Sequence, residues 1–145
     1  MATECDLSAV TGRLRNISKD SFEYKLQEQE TTSRSHDSES VGYIAWEPGT
    51  GVLGDLQYEI GTTGKVVKHK WYTHSFQTPT SELPLFIGEM QTATGGDTAT
   101  IRALEVTNND FTVMVEEEQS KDSELRHTKE NVGYLSIIGI ANPGQ

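Results

Sequence analysis

Thiol chemistry is almost missing from this chain: Cys5 is its one cysteine. That excludes an internal disulfide framework and any cysteine-based metal spacing, leaving a free thiol near the start or a bond between chains. Cations are scarce as well. Lys and Arg number 12 against 22 Asp and Glu, for a net charge of −10, which argues against nucleic acid and anionic membrane surfaces, since phosphate backbones are held by clustered Lys and Arg. No apolar run approaches the length of a membrane span, so no membrane span is expected. The first residues show no basic segment followed by an apolar core, which leaves secretion open. Absent too are a nucleophile motif, a Gly-rich phosphate loop and a metalloprotease signature, so no enzyme is expected. The helical period is nearly absent. At 145 residues the chain suits a single domain with a real core.

What is present is a long internal repeat. His36-Asp37-Ser38-Glu39-Ser40-Val41-Gly42-Tyr43-Ile44 returns as His127-Thr128-Lys129-Glu130-Asn131-Val132-Gly133-Tyr134-Leu135. Upstream, residues 10–28 align with 99–117 at an offset of 89, superposing Arg13 on Arg102, Phe22 on Phe111 and Glu28 on Glu117. Downstream the offset is 91, so two residues have entered the polar stretch 119–126, as expected of a solvent-exposed loop. Function must be read from the repeat.

The patterning is that of antiparallel strands. Phe22, Tyr24 and Leu26 alternate with Glu23, Lys25 and Gln27; Phe111, Val113 and Val115 alternate with Thr112, Met114 and Glu116. This is the period of half-buried strands. Strands are expected over 10–18, 21–28, 41–46, 57–61, 65–76, 83–92, 99–107, 110–118 and 132–138. Turn chemistry falls at Lys19-Asp20, Gly61-Thr62-Thr63-Gly64, Gly95-Gly96-Asp97 and Asn108-Asn109. The fold class is all-β, an antiparallel β-sandwich with an internally duplicated three-strand unit. With the repeated part called B (5–45) and B′ (96–138) and the stretch between them A (46–95), the order is B, A, B′: one complete module and a fragment. Either both halves pack around A in a pseudo-symmetric sandwich, or the incomplete half takes strands from a neighbouring chain, giving oligomers or head-to-tail filaments.

Each half carries the same polar set: Arg13, Glu28, His36 and Glu39 in one, Arg102, Glu117, His127 and Glu130 in the other. Glu28 and Glu117 share strand parity with Phe22 and Phe111 and should point inward. A carboxylate there needs a buried Arg or His partner. Recurrence in both halves favours a structural polar cluster over a catalytic pair of carboxylates, which would have to flank a cleft. The alternative use of the set is to receive a sugar hydroxyl network or a metal.

Other candidates stand apart. Glu118, Asp122 and Glu124, beyond Glu116-Glu117, could hold calcium but lack the spacing of a calcium loop, and a solvated strand end is the plainer reading. His69 and His74 lie five apart, on opposite faces of one strand, which does not suit a shared metal. Trp46, Trp71 and Tyr72 are candidate carbohydrate-stacking platforms, with core packing as the plain alternative. Asp97 is placed to meet an arginine. Asn16-Ile17-Ser18 is a glycosylation acceptor pattern.

Phe76 followed by Pro79 and Pro84, then Leu85-Phe86-Ile87, Val106-Thr107-Asn108-Asn109-Asp110-Phe111-Thr112-Val113 and Val132-Gly133-Tyr134-Leu135-Ser136-Ile137 resemble the H-type lectin domain, the small sandwich of discoidin-like and snail agglutinins. The resemblance covers under half of the chain, and Tyr134 stands where those lectins usually have tryptophan. It implies a six-stranded antiparallel sandwich, oligomerisation and binding of N-acetylhexosamines. The Glu-Glu-Glu, His-x-x-Glu and Val-Gly-Tyr strings also resemble the tandem modules of large secreted bacterial surface proteins. Together these imply a partial module over 1–45, a complete lectin-like module over 46–145, an extracellular or cell-surface location, and a glycan, a polysaccharide or further copies of the chain as partners.

Overall fold

The computed structural model describes residues 10–32, 36 and 38–139, so Cys5 and Asp37 of the sequence reading lie outside the described residues. Nine strands are found among them: β1 (Val10–Arg15), β2 (Glu23–Glu28), β3 (Gly49–Leu53), β4 (Leu56–Val67), β5 (Tyr72–Ser75), β6 (Leu85–Met90), β7 (Ala99–Val106), β8 (Asp110–Glu117) and β9 (Glu130–Gly139). The fold is all-β and every pairing is antiparallel. A four-stranded sheet in the order β3-β4-β9-β6 packs on a three-stranded sheet, β5-β8-β7, while β1 and β2 form a ribbon of their own.

The sandwich core follows from alternation. Along β8, Phe111, Val113, Val115 and Glu117 point inward and the residues between them outward. β9 runs between β4 and β6 and is buried at most of its positions. Phe111 makes the central joint between the sheets, its ring centroid 4.6 Å from Phe86 on β6 and 5.0 Å from Tyr134 on β9. Val67, Met90, Ala99 and Val132 close the core around them, by removal of apolar surface from water.

Several expected elements differ. Residues 61–64 do not turn. β4 runs through them with register shifts beyond Thr62 and Lys65, Gly64 takes the left-handed φ of 71°, and the Thr63 hydroxyl accepts the Val132 N–H at 3.1 Å. Two glycines flanking Thr-Thr thus serve a bulge, which reads in sequence like a turn. β4 ends at Val67, and Tyr72–Ser75 is a separate strand. β3 was not expected, its Gly-Thr-Gly start hiding a strand.

The largest difference concerns the first half. β1 and β2 pair in the register of β7 and β8, Val10↔Glu28 matching Ala99↔Glu117 and Leu14↔Tyr24 matching Ala103↔Val113. The third repeated segment, 41–46, is not a strand. Its counterpart is β9, which has β4 and β6 on either side. Without such neighbours Tyr43 is 70% exposed, whereas Tyr134 is 4% exposed. Among the described residues the duplicated unit therefore has three strands in B′ and two in B. The two halves do not form one pseudo-symmetric sandwich: B is a ribbon docked on the outside. Phe22, expected inward beside Glu28, precedes β2 and lies at the surface, edge-on to Tyr43 at 5.1 Å.

Tyr134 also fixes one glycine. Gly61 lies opposite it in the ladder, and a Cβ on Gly61 would meet the tyrosine ring at 2.6–3.0 Å. That ring cannot retreat, being packed on Phe111 and bonded through its hydroxyl to Glu59 Oε1 at 2.7 Å. Gly61→Ala should destabilise the fold by about 1–3 kcal/mol, lowering the calorimetric Tm by roughly 3–10 °C. Gly42→Ala, where a Cβ meets nothing within 4 Å, should leave Tm unchanged.

Candidate functional site

The polar set of the second half gathers where β8 ends and β9 begins. Glu117 is the last inward position of β8, and Glu130 opens β9. His127, on the loop between them, joins the two: Nδ1 lies 2.8 Å from Glu117 Oε1 and Nε2 lies 3.0 Å from Glu130 Oε1. Residues 92–95 wrap the second carboxylate. Glu130 accepts the hydroxyls of Thr92 and Thr94 and the backbone N–H groups of Thr94 and Gly95. Gly95 comes so close to the imidazole that a Cβ would meet it at 2.6 Å.

Arg13 completes the cluster from the other half of the chain. Its Nη2 reaches Glu130 Oε1 at 3.3 Å and its Nη1 donates to the main-chain oxygen of Asp97 at 2.9 Å. The side chains of Arg13, His127 and Glu130 are completely buried. Asp97, expected to meet an arginine, does so through its carbonyl. Burial lowers the Arg13 pKa, and Glu130, Glu89 and Asp97 offset part of that; a guanidinium stays charged regardless. Burial works against a charge on His127, but the hydrogen bonds with Glu130 and Glu117 prevail and raise its pKa above the ordinary value. For Glu130 burial is likewise outweighed, by His127, Thr92 and the backbone of Thr94 and Gly95, and its pKa falls to about 2.

The first half repeats the Glu–His–Glu arrangement. His36 Nδ1 lies 3.4 Å from Glu28 Oε1, and Nε2 lies 3.0 Å from Glu39 Oε1. Glu28 also accepts the Thr32 hydroxyl at 2.6 Å. The inward placement expected of Glu28 and Glu117 is observed. Glu39 remains half-exposed; among the described residues of the first half nothing corresponds to the loop that buries Glu130.

Arg102 corrects the sequence reading. It joins neither cluster and pairs instead with Glu116 at 2.8 Å on the outer face of β7 and β8. Its strand position matches that of Arg13, but no carboxylate of a buried cluster lies beneath it. Glu116, Glu117 and Glu118 are divided by alternation: the first pairs with Arg102, the second enters the cluster, and the third accepts the Glu30 N–H at 2.9 Å. Glu118 also accepts the Ser120 N–H, and Asp122 accepts the Glu124 N–H. No set of three His, Cys, Asp or Glu side chains among the described residues is arranged to hold a metal ion. His69 Nδ1 lies 3.1 Å from the His127 carbonyl, while His74 packs between Phe111 and Tyr134.

The three aromatic candidates do not share a platform. Trp46 lies on Tyr58 at 4.8 Å, Tyr72 packs against the core, and Trp71 is 43% exposed. Asn16, in the ribbon's connection with φ 51°, donates to Glu23 at 2.8 Å. Two features escaped the sequence reading. One is Glu59, buried on β4, which accepts the Tyr134 hydroxyl and the N–H groups of Gln77 and Thr78. The other is a shallow concavity of about 540 Å³ around Lys68, Lys70, Arg126 and Lys129. None of these four cations is in an ion pair among the described residues. Their signal was present in the strings Lys68-His69-Lys70 and Arg126-His127-Thr128-Lys129.

The cluster makes stability depend on pH in a definite direction. The raised pKa of His127 contributes stability that is complete below the ordinary value of 6.5 and is lost as pH rises through the folded value. The lowered pKa of Glu130 contributes stability that is complete above the ordinary 4.5 and is lost as pH falls toward 2. His74 opposes the first effect, since burial lowers its pKa. In a His74→Phe background, calorimetry should therefore find the highest Tm between about pH 4.5 and 6.5, falling on both sides. A profile flat up to pH 9 would mean a neutral His127.

Similarity to known proteins is narrow. No family model matches the chain, and no solved structure does. Over 134 residues, 90% of its length, the chain is 31% identical to Halomucin of Haloquadratum walsbyi (strain DSM 16790 / HBSQ001). It spans about 1% of that protein's length.

Proposed function

We propose that the chain is a non-catalytic link in a tandem array of an extracellular surface protein. The observation that carries this reading is the seating of the first half on the second through Arg13 and Glu130. A B half without its own A strands docks on the A and B′ that follow, as the end of one unit would dock on the next. The match to a small fraction of a very long protein whose name marks it as a mucin supports the array and the extracellular location. A structural role for the clusters is supported by their occurrence in both halves and by the burial of the second, where a substrate would have to displace Arg13 or the 92–95 loop.

The ribbon is the part to test, since a lone two-stranded hairpin is marginal in water. Gln27 Nε2 donates to the Gly96 carbonyl, the Glu30 N–H to Glu118, and Thr98 Oγ1 to the Glu28 carbonyl, but Arg13 is the buried anchor. Arg13→Ala should abolish amide hydrogen-exchange protection across β1 and β2 while β4, β8 and β9 keep theirs. Unchanged protection in the ribbon would count against docking through this residue.

A second reading, binding of an acidic polysaccharide, is favoured by four cations around one concavity that form no ion pair among the described residues, in a chain of net charge −10. Trp71 follows Lys70 directly in sequence and offers an exposed ring. Calorimetry with a sulfated or uronate-rich polysaccharide should detect binding at low ionic strength that weakens with salt and is lost in a Lys70→Glu, Lys129→Glu double variant. No heat at low ionic strength would remove this reading.

A further inference from the structure

The two hairpins are superposable in sequence and register, yet only one has its outward face docked on a neighbour, at Arg13 and Gln27. On β1 and β2 the face opposite Glu28 carries Arg13 and Gln27, and both are bonded to the following half: Arg13 to Glu130 and Asp97, Gln27 to Gly96. At the same register positions β7 and β8 carry Arg102 and Glu116. These two face solvent, with side chains 57% and 40% exposed, and among the described residues they hold each other. Among the described residues there is one socket of the kind Arg13 fills, made by Glu130 and residues 92–97, and Arg13 occupies it. An exposed ion pair of this sort holds its partners weakly, so Arg102 is available to a second socket.

We propose that the outer face of β7 and β8 around Arg102 docks the next unit in series, a second copy of the 46–139 sequence, with Arg102 entering that unit's Glu130 socket as Arg13 enters this one. The proposal rests on the array reading and names the surface through which the array continues. The occupant is identified by the chain itself, which shows what covers this face when a following unit is present. One position departs from the pattern. Glu116 stands where Gln27 donates to the Gly96 carbonyl, and a carboxylate cannot make that donation. The onward contact therefore depends on Arg102 leaving Glu116, and Glu116 sets its strength.

The test is a chain in which residues 46–145 are repeated after Gln145, compared by calorimetry and denaturant unfolding with the 145-residue chain. Arg102→Ala should lower the folding equilibrium constant on the order of 100-fold in the extended chain, as loss of one partner of a buried pair does, and less than about fivefold in the 145-residue chain. Glu116→Gln should stabilise the extended chain alone. If the appended unit folds, adding its share of unfolding enthalpy, while Arg102→Ala has the same small effect in both chains, the docking face is overturned and the array reading stands on Arg13. If the appended unit adds no cooperative transition, both fall.

Discussion

A row of four buried ionisable side chains ties this protein together. In Glu117, His127, Glu130 and Arg13, acidic and basic groups alternate, and each lies within hydrogen-bonding reach of the next. They come from the end of β8, the following loop, the start of β9 and the separate ribbon, so one polar chain joins the sandwich to the ribbon. Taking such groups out of water is costly. The cost is met here by pairing each carboxylate with a basic side chain and by the hydroxyls and amides that close around Glu130. What such a cluster supplies in return is register: a sheet slipped by one residue would turn Glu117 to solvent and leave His127 and Arg13 with a single carboxylate.

The same string of residues meets two fates within one chain. Val132-Gly133-Tyr134 is a central strand, and its tyrosine joins the sheets; Val41-Gly42-Tyr43 is exposed and unpaired. Nothing in the strings accounts for this, since they are nearly identical. The difference lies in β4 and β6, which flank one copy and have no counterpart beside the other. Strand formation is here a property of the ladder more than of the segment. Glu39 and Glu130 follow the same logic, one half-exposed and the other enclosed.

That logic marks what could be read in the sequence. The alternation of 110–117 gave β8 and its inward face, and the inward direction of Glu28 and Glu117 follows from counting by twos. That these carboxylates need a buried Arg or His partner follows from the repeated set, but which of the two each one takes does not. Arg102 could not be separated from Arg13, since they share strand, register and chemistry and differ only in what lies opposite. The cationic concavity joins residues 68–70 to 126–129 across more than fifty positions of sequence, a proximity that β4, β8 and β9 create. The bulge at 61–64 looked like a turn because glycine serves both through the same backbone freedom.

The attachment of the ribbon has a mechanical meaning. Within the sandwich, neighbouring strands are joined by ladders of parallel bonds that must break together under shear. The ribbon and the residues just after it are joined to the sandwich through the side chains of Arg13, Gln27, Thr31 and Thr98 and through the Glu30 and Thr31 amides. Tension applied along the chain loads those few contacts one after another, so the ribbon peels away before either sheet is sheared. Residues 10–45 then become slack of roughly 120 Å when fully extended. The protein thus has a compliant segment in series with a stiff one, and the buried arginine sets the force at which the first gives way.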